Sequence, residues 1–197
     1  SQWFASAGLM EHAIKLSLEA KDYESSLVMI GEVSYDLWAK GRHATLLSFG
    51  ESLPDEYILQ QPEFCLYYSW ILINAGSAVK AEHFLQSAEE KVEERLRVIG
   101  NDSEDTQDDL LLKGKIAVAH ASLCNMTGSF EKIEYYSSVA LEHLTDDEPL
   151  WCSWRWFTIA LKDIAIGNLP EAISSLNRAL TYGKKSSNIY LVSTIAI

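Results

Sequence analysis

A histidine and a cysteine four residues apart on one helix can share a metal ion or pass a proton, and the sequence has one such pair, His120 and Cys124. In the helical register developed below, both point into a core, where a buried, satisfied pair is the simpler account. Glu89, Glu90, Glu93 and Glu94 recur on adjacent turns and could act as acid and base. A solvated helix face accounts for them better. His12, His43, His83 and His143 are scattered, and no histidine is spaced i,i+4 from another. There is no Cys-x-x-Cys, no glycine-rich phosphate loop and no G-x-S-x-G elbow. Residues 100–109, GNDSEDTQDD, lack the alternation, central glycine and closing glutamate of a calcium loop. They read as a solvated loop or an acidic helix N-terminus. Catalysis is therefore not expected, and neither is a metal site.

The strongest chemical signal left is WCSWRWFTIA, residues 151–160, with three tryptophans in six positions. Whether that is a ligand box or a core depends on the elements that carry the rings. The chain has 197 residues, is 48% hydrophobic, and has 10 glycines and 4 prolines, a folded composition. Its net charge of −12 speaks against nucleic-acid binding by this segment, because phosphate contacts need clustered Lys and Arg. No apolar run is long enough for a membrane span, and no signal peptide is visible. Cys65, Cys124 and Cys152 are odd in number and far apart, which reads as free thiols in a reducing cytosol. The terminal LVSTIAI reads as a cut inside a helix, so a larger protein is expected.

One pattern is written four times: GLMEHAIKLSLEA from Gly8, GSAVKAEHFLQSA from Gly76, GSFEKIEYYSSVA from Gly128 and GNLPEAISSLNRA from Gly167. Five residues after each glycine stands Ala13, Ala81, Ile133 or Ala172. Twelve after stands Ala20, Ala88, Ala140 or Ala179. These positions are two helical turns apart, so they share a face where a neighbouring helix can come close. The glycine suits a left-handed turn between paired helices. A weaker fifth copy starts at Gly41, and the glycine steps are 33, 35, 52 and 39 residues. Helices are expected over 2–7, 9–20, 23–40, 43–52, 62–75, 77–97, 107–127, 129–144, 150–166, 169–182 and 187–197. No period-two segment makes a convincing strand. The fold class is all-α, an α-α superhelix of helical hairpins.

This spacing resembles the tetratricopeptide repeat: small at +5, bulky at +9 (Leu85, Leu176), small at +12 and small at −7 (Ser69, Ala121, Ala160). Ser17 and Ser137 depart from it at +9. Over residues 3–95 the strings WF…G…EHAIKLSLEAKDYE, KGRHATLLSFGESLP and PEFCLYYSWILINAGSAVKAEHFLQSAEE resemble the middle of MalT-like, ATP-dependent LuxR-family transcriptional regulators. The matching residues include Trp3, Phe4, Gly8, Ala13, Gly41, Leu46, Leu47, Leu53, Pro54, Pro62, Trp70, Gly76 and Ala81. The departure is at Lys21 and Asp22, where a small residue or glycine is expected before the acid.

The resemblance implies a cytoplasmic protein with a nucleotide-binding switch domain, a helical-repeat sensor and a DNA-reading C-terminal domain. Residues 1–60 would be a helical arm and 61–197 the start of the sensor, in one continuous solenoid. ATP is expected only upstream of this segment, which needs no cofactor itself, and DNA contact only downstream.

The register also sorts the tryptophans. Trp156, eleven before Gly167, should pack its helix on the following one. Trp154 lies about 200° around, towards the concave groove, and Trp151 covers the start of the helix. The groove side also takes Trp70 and Asn74, then Lys115, Ser122 and Asn125, though a core role suits Trp70 equally well. Aromatic faces beside Asn and Lys suit stacking with directed hydrogen bonds. These six residues are the expected contact set for a small-molecule effector or a partner protein. The alternative is a free-standing protein–protein scaffold.

Overall fold

The computed structural model describes residues 2–98, 104–186 and 192–193, with side chains described from residue 9 to 98 and from 106 onwards within those ranges. The described residues are helical: α1 (Gln2–Glu19), α2 (Tyr23–Ala39), α3 (His43–Ser52), α4 (Asp55–Ile58), α5 (Pro62–Asn74), α6 (Ala78–Val98), α7 (Glu104–Thr127), α8 (Ile133–His143), α9 (Pro149–Ala165) and α10 (Leu169–Lys185). A 3-10 turn, Phe130–Lys132, leads into α8. The helix expected over 187–197 lies outside the described residues except at 192–193, which are helical.

Each hairpin is closed in the same way. Gly41, Gly76, Gly128 and Gly167 all have φ between 71° and 80°. The next residue donates its N–H back five residues: Arg42 to Leu37, Ser77 to Leu72, Ser129 to Cys124 and Asn168 to Asp163, at 2.8–2.9 Å. This six-to-one bond satisfies carbonyls that the helix end leaves open, and it needs a left-handed residue.

The first repeat departs from expectation. Gly8 is not a turn, because α1 runs unbroken from Gln2 to Glu19 where a break at residue 8 was expected. Ala20, twelve after it, is exposed rather than packed. The turn is at Lys21, the positive-φ residue that is not glycine (φ 59°), and Asp22 N–H donates to the Ser17 carbonyl at 3.0 Å. Asp22 then caps α2, accepting from the Ser25 N–H at 3.2 Å.

Counting from Lys21, Gly41, Gly76, Gly128 and Gly167, position −7 (Ile14, Ser34, Ser69, Ala121, Ala160) is at most 1% exposed in all five repeats. Position +5 (Ser26, Leu46, Ala81, Ile133, Ala172) is buried to the same degree. Lys21 and Gly41 are close because α2 is shared. Its Ser26 hydroxyl donates to the Ser17 hydroxyl of α1 at 2.8 Å, while its Ser34 takes the −7 position of the next hairpin.

Packing follows that order. Each second helix lies on its own first helix: α3 on α2, α6 on α5, α8 on α7, α10 on α9. Each also touches the next first helix, α3 on α5, α6 on α7 and α8 on α9. The first helices α2, α5, α7 and α9 form a continuous row. The chain is thus an all-α stack of helical hairpins. The long step between Gly76 and Gly128 is absorbed by α6 and α7, the two longest helices, joined through residues 99–103. Helix α7 begins at Glu104, so Asp108 and Asp109 fall in its first turns, where acids suit the helix dipole. Asp109 is buried and meets Arg95 at 3.2 Å.

Two substitutions test the turn and the helix spacing. Lysine in the left-handed region costs about 1–2 kcal/mol, and glycine returns part of that as chain entropy. Lys21→Gly is therefore expected to raise stability by about 1 kcal/mol, read by thermal or urea unfolding. A Cβ on Gly50 would lie 2.2 Å from the Tyr68 ring, which occupies the space between α3 and α5. Gly50→Ala is expected to lower stability by about 1–3 kcal/mol, despite alanine's better helix propensity.

Candidate functional site

The row of first helices converges on an aromatic cluster. Trp38 from α2 stacks on Trp151 from α9, with centroids 4.4 Å apart and planes 15° apart. Trp70 from α5 meets both edge-on at 5.6 Å. Trp154 stands edge-on to Trp70 at 5.0 Å. Tyr67 closes the side, 5.6 Å from Trp38. Trp38 and Trp70 are 2% exposed, Trp151 0%, and Trp154 and Tyr67 9%. Each edge or stacked pair is worth about 0.5–1.5 kcal/mol beyond the area it buries. The Trp151 Nε1 is buried with no hydrogen-bond partner.

The sequence-derived groove residues therefore divide. Trp70 and Trp154 meet, but each is buried against the other and neither presents a face to solvent. Asn74 is exposed, and its Nδ2 donates to the Trp70 carbonyl at 2.8 Å. Lys115 is partly buried and pairs with Glu148 at 3.0 Å, tying α7 to the start of α9. Asn125 donates from Nδ2 to the Thr158 carbonyl at 2.8 Å, and its Oδ1 is buried without a partner. Ser122, one turn earlier on α7, is partly exposed. These four polar residues lie on α5 and α7, and each keeps part of its surface in solvent, so they form a polar lip on the row of first helices.

Sequence reasoning passed over Trp38, although the signal was present. It precedes Gly41 by three residues, as Asn125 precedes Gly128. Trp151, expected to cover the start of a helix, is instead at the centre of the cluster. Trp156 does reach its own second helix, through the Arg178 guanidinium 4.4 Å above its ring, and it keeps part of its surface in solvent.

Arg155 lies beside it, also 4.7 Å from the Trp156 ring, and is only 9% exposed. Its Nε donates to the Ser137 carbonyl of α8 at 2.8 Å. Burial pushes its pKa down, the charges of Cys152 and Tyr182 push it up, and Arg178 adds to the lowering. Arginine stays protonated nonetheless. A ring face contributes about 0.5–2 kcal/mol to a cation, short of the several kcal/mol that burying an ion costs.

The candidate chemical groups are packed rather than poised. His120 is 5% exposed and stacks on Tyr136, 4.7 Å apart with planes at 9°. Its Nε2 is 3.4 Å from Glu89 Oε2, a long contact without full hydrogen-bond geometry. Cys124 is buried, and burial raises its pKa. Cys65 is pushed up to about 12, chiefly by burial. Burial likewise raises Cys152. Among the described residues, no group of three or more His, Cys, Asp or Glu side chains is placed to hold a metal ion. Two shallow surface clefts, one lined by Lys15, Leu18 and Phe49 and one by Gln60, Lys91 and Arg95, hold no histidine or cysteine. No described helix is long and apolar enough to cross a membrane.

No protein-family model matches the chain, and no curated protein or solved structure matches it. The class defined by fold and site is a helical-hairpin stack with an aromatic core along its row of first helices.

The Glu89–His120 contact carries a pH signature. The His120 ring nitrogen is the main reason the Glu89 carboxyl sits below its ordinary 4.5; burial opposes it, and Lys113 adds a smaller downward pull. A carboxyl lowered in the folded state stabilises fully above its unfolded value and loses that contribution as pH falls through the folded value. Glu89→Gln is expected to reduce stability at neutral pH and to flatten the decline below pH 4.5, in urea unfolding followed across pH.

Proposed function

We propose that this chain is the non-catalytic sensor or interaction segment of a transcriptional regulator, receiving an effector or partner protein on the lip of its helical-repeat row. The observation that carries this reading is the continuous row α2, α5, α7, α9, whose polar lip holds Asn74, Lys115, Ser122 and Asn125. Such a surface holds donors and acceptors on a rigid frame, engaged with neighbouring helix groups for which a ligand would compete. The buried thiols with raised pKa values supply no ready nucleophile, which fits a binding role. The regulator part of the reading rests on the resemblance of residues 3–95 to MalT-like LuxR-family proteins, which would imply a cytoplasmic location.

A ligand can bias a regulator only through different affinities for its two arrangements. A tenfold bias needs about 1.4 kcal/mol, within reach of a few hydrogen bonds at the lip. One observation favours the second reading, a tetratricopeptide-like protein–protein scaffold. Trp70 and Trp154 close on each other and leave no free ring face for a small aromatic ligand.

Truncating either tryptophan would remove core, at about 3–5 kcal/mol, so lip residues are the better probes. Thermal shift against sugars and small aromatic acids is expected to give a melting-point rise for an effector, reduced in Lys115→Ala and Ser122→Ala. No shift with any of them, and unchanged regulation in the whole protein carrying both substitutions, would count against the effector. Reading the flanking coding sequence separates the two readings. A phosphate-loop domain upstream and a helix-turn-helix downstream favour the regulator, and their absence the scaffold.

A further inference from the structure

Charge is conspicuously unbalanced at one place. The protein has 28 Asp and Glu against 16 Lys and Arg, and its cations are widely paired: Arg42 with Glu11, Arg95 with Glu63 and Asp109, Lys115 with Glu148, Lys162 with Glu134 and Asp163. Arg155 is not paired in this way. It is nine-tenths buried, yet no carboxylate among the described residues forms an ion pair or hydrogen bond with it. The same holds for Arg178, which lies on the surface of α10 over the same Trp156 ring.

The guanidinium of Arg155 is held as a positioned fork. Its Nε is committed to the Ser137 carbonyl at 2.8 Å, and its other face rests on Trp156, while Nη1 and Nη2 hydrogen-bond to no described residue. A fork fixed at Nε and free at Nη is the geometry that receives two oxygens of one oxyanion. A second, independent observation points the same way. The hydroxyl of Ser137, the residue that holds the fork, is itself buried without a hydrogen-bond partner. A buried donor is rarely left so. The two guanidinium carbons lie 4.7 Å and 4.4 Å from the centroid of the same Trp156 ring, so two cations without a carboxylate partner among the described residues share one aromatic side chain.

We infer that Arg155, Arg178 and Ser137 form an oxyanion-binding site at the junction of α8, α9 and α10, taking a phosphate or carboxylate group. Arg155 supplies the fixed bidentate contact, Arg178 closes from the surface, and Ser137 adds a hydroxyl. Trp156 holds both guanidiniums in place and reports on them by fluorescence. The site is separate from the lip residues of the proposed function and stands or falls without them.

Titration with inorganic phosphate and with succinate, each against sodium chloride at matched ionic strength, tests this by calorimetry and Trp fluorescence. Saturable binding and a raised melting temperature are expected with at least one of them. Phosphate alone points to a phosphorylated ligand; succinate alone or equally points to a carboxylate. Arg178→Gln, at an exposed position, is expected to fold normally by circular dichroism and to bind at least tenfold more weakly. Arg155→Lys, which keeps the charge and loses the fork, is expected to weaken binding similarly. No binding beyond the chloride control, or undiminished affinity in both variants, overturns the site.

Discussion

The structure depends on one repeated constraint: a left-handed residue that ends a helix and lets the next N–H reach back five residues. At Lys21, Gly41, Gly76, Gly128 and Gly167 that bond is 2.8–3.0 Å long. Because the turn is the same each time, the helix that follows leaves in the same direction. Residues at fixed offsets therefore meet at fixed places. That is why positions −7 and +5 are small or compact and closed to solvent throughout. It is also why the +9 position can vary: Leu85 fills its site directly, whereas Gly50 leaves room for the Tyr68 ring from the neighbouring helix. Volume is conserved across the contact, although the residue supplying it changes.

The second organising interaction is aromatic and acts between distant hairpins. Trp38 and Trp151 are 113 residues apart in sequence and stack at 4.4 Å. A stack of hairpins joined only to neighbours could flex like a spring. A ring-to-ring contact from the second hairpin to the last ties the row together at its centre. Trp70 bridges the two, so the aromatic core couples α2, α5 and α9. Rigidity gained in this way is bought with the open trough that the repeat pattern alone implies.

Much of this is legible in the sequence, for reasons that differ by residue. Four glycine turns could be read because only glycine takes positive φ cheaply. Lys21 could not, because a lysine in that conformation has no compositional signature, and the nearby Gly8 drew the register thirteen residues too early. The shared role of α2 was hidden for the same reason. For the tryptophans, helical phase gives the direction in which a ring points but not the curvature of the row. Phase put Trp154 and Trp70 on one side, where the two rings meet, but whether that side is open depends on how tightly the hairpins turn. The phase of Arg155, between two tryptophans, suggested nothing by itself. Its lack of a carboxylate partner among the described residues emerges only from three helices brought together in space.

The closed aromatic core constrains what regulation by this segment could look like. Opening the Trp70–Trp154 contact to admit a ligand would expose two rings now almost dry, and buried aromatic area contributes about 25 cal/mol per Å². A small effector would have to replace that burial before gaining anything, whereas a ligand on the lip has no such cost. Lys115 and Asn125 are already engaged between α7 and α9, with Glu148 and the Thr158 carbonyl. A ligand competing for either group would alter how these two hairpins are pinned, without disturbing the tryptophans. Under the proposed sensor role, a ligand at the lip would act on the polar contacts between α7 and α9 while the aromatic core stays shut, which makes those contacts, rather than the rings, the expected point of control.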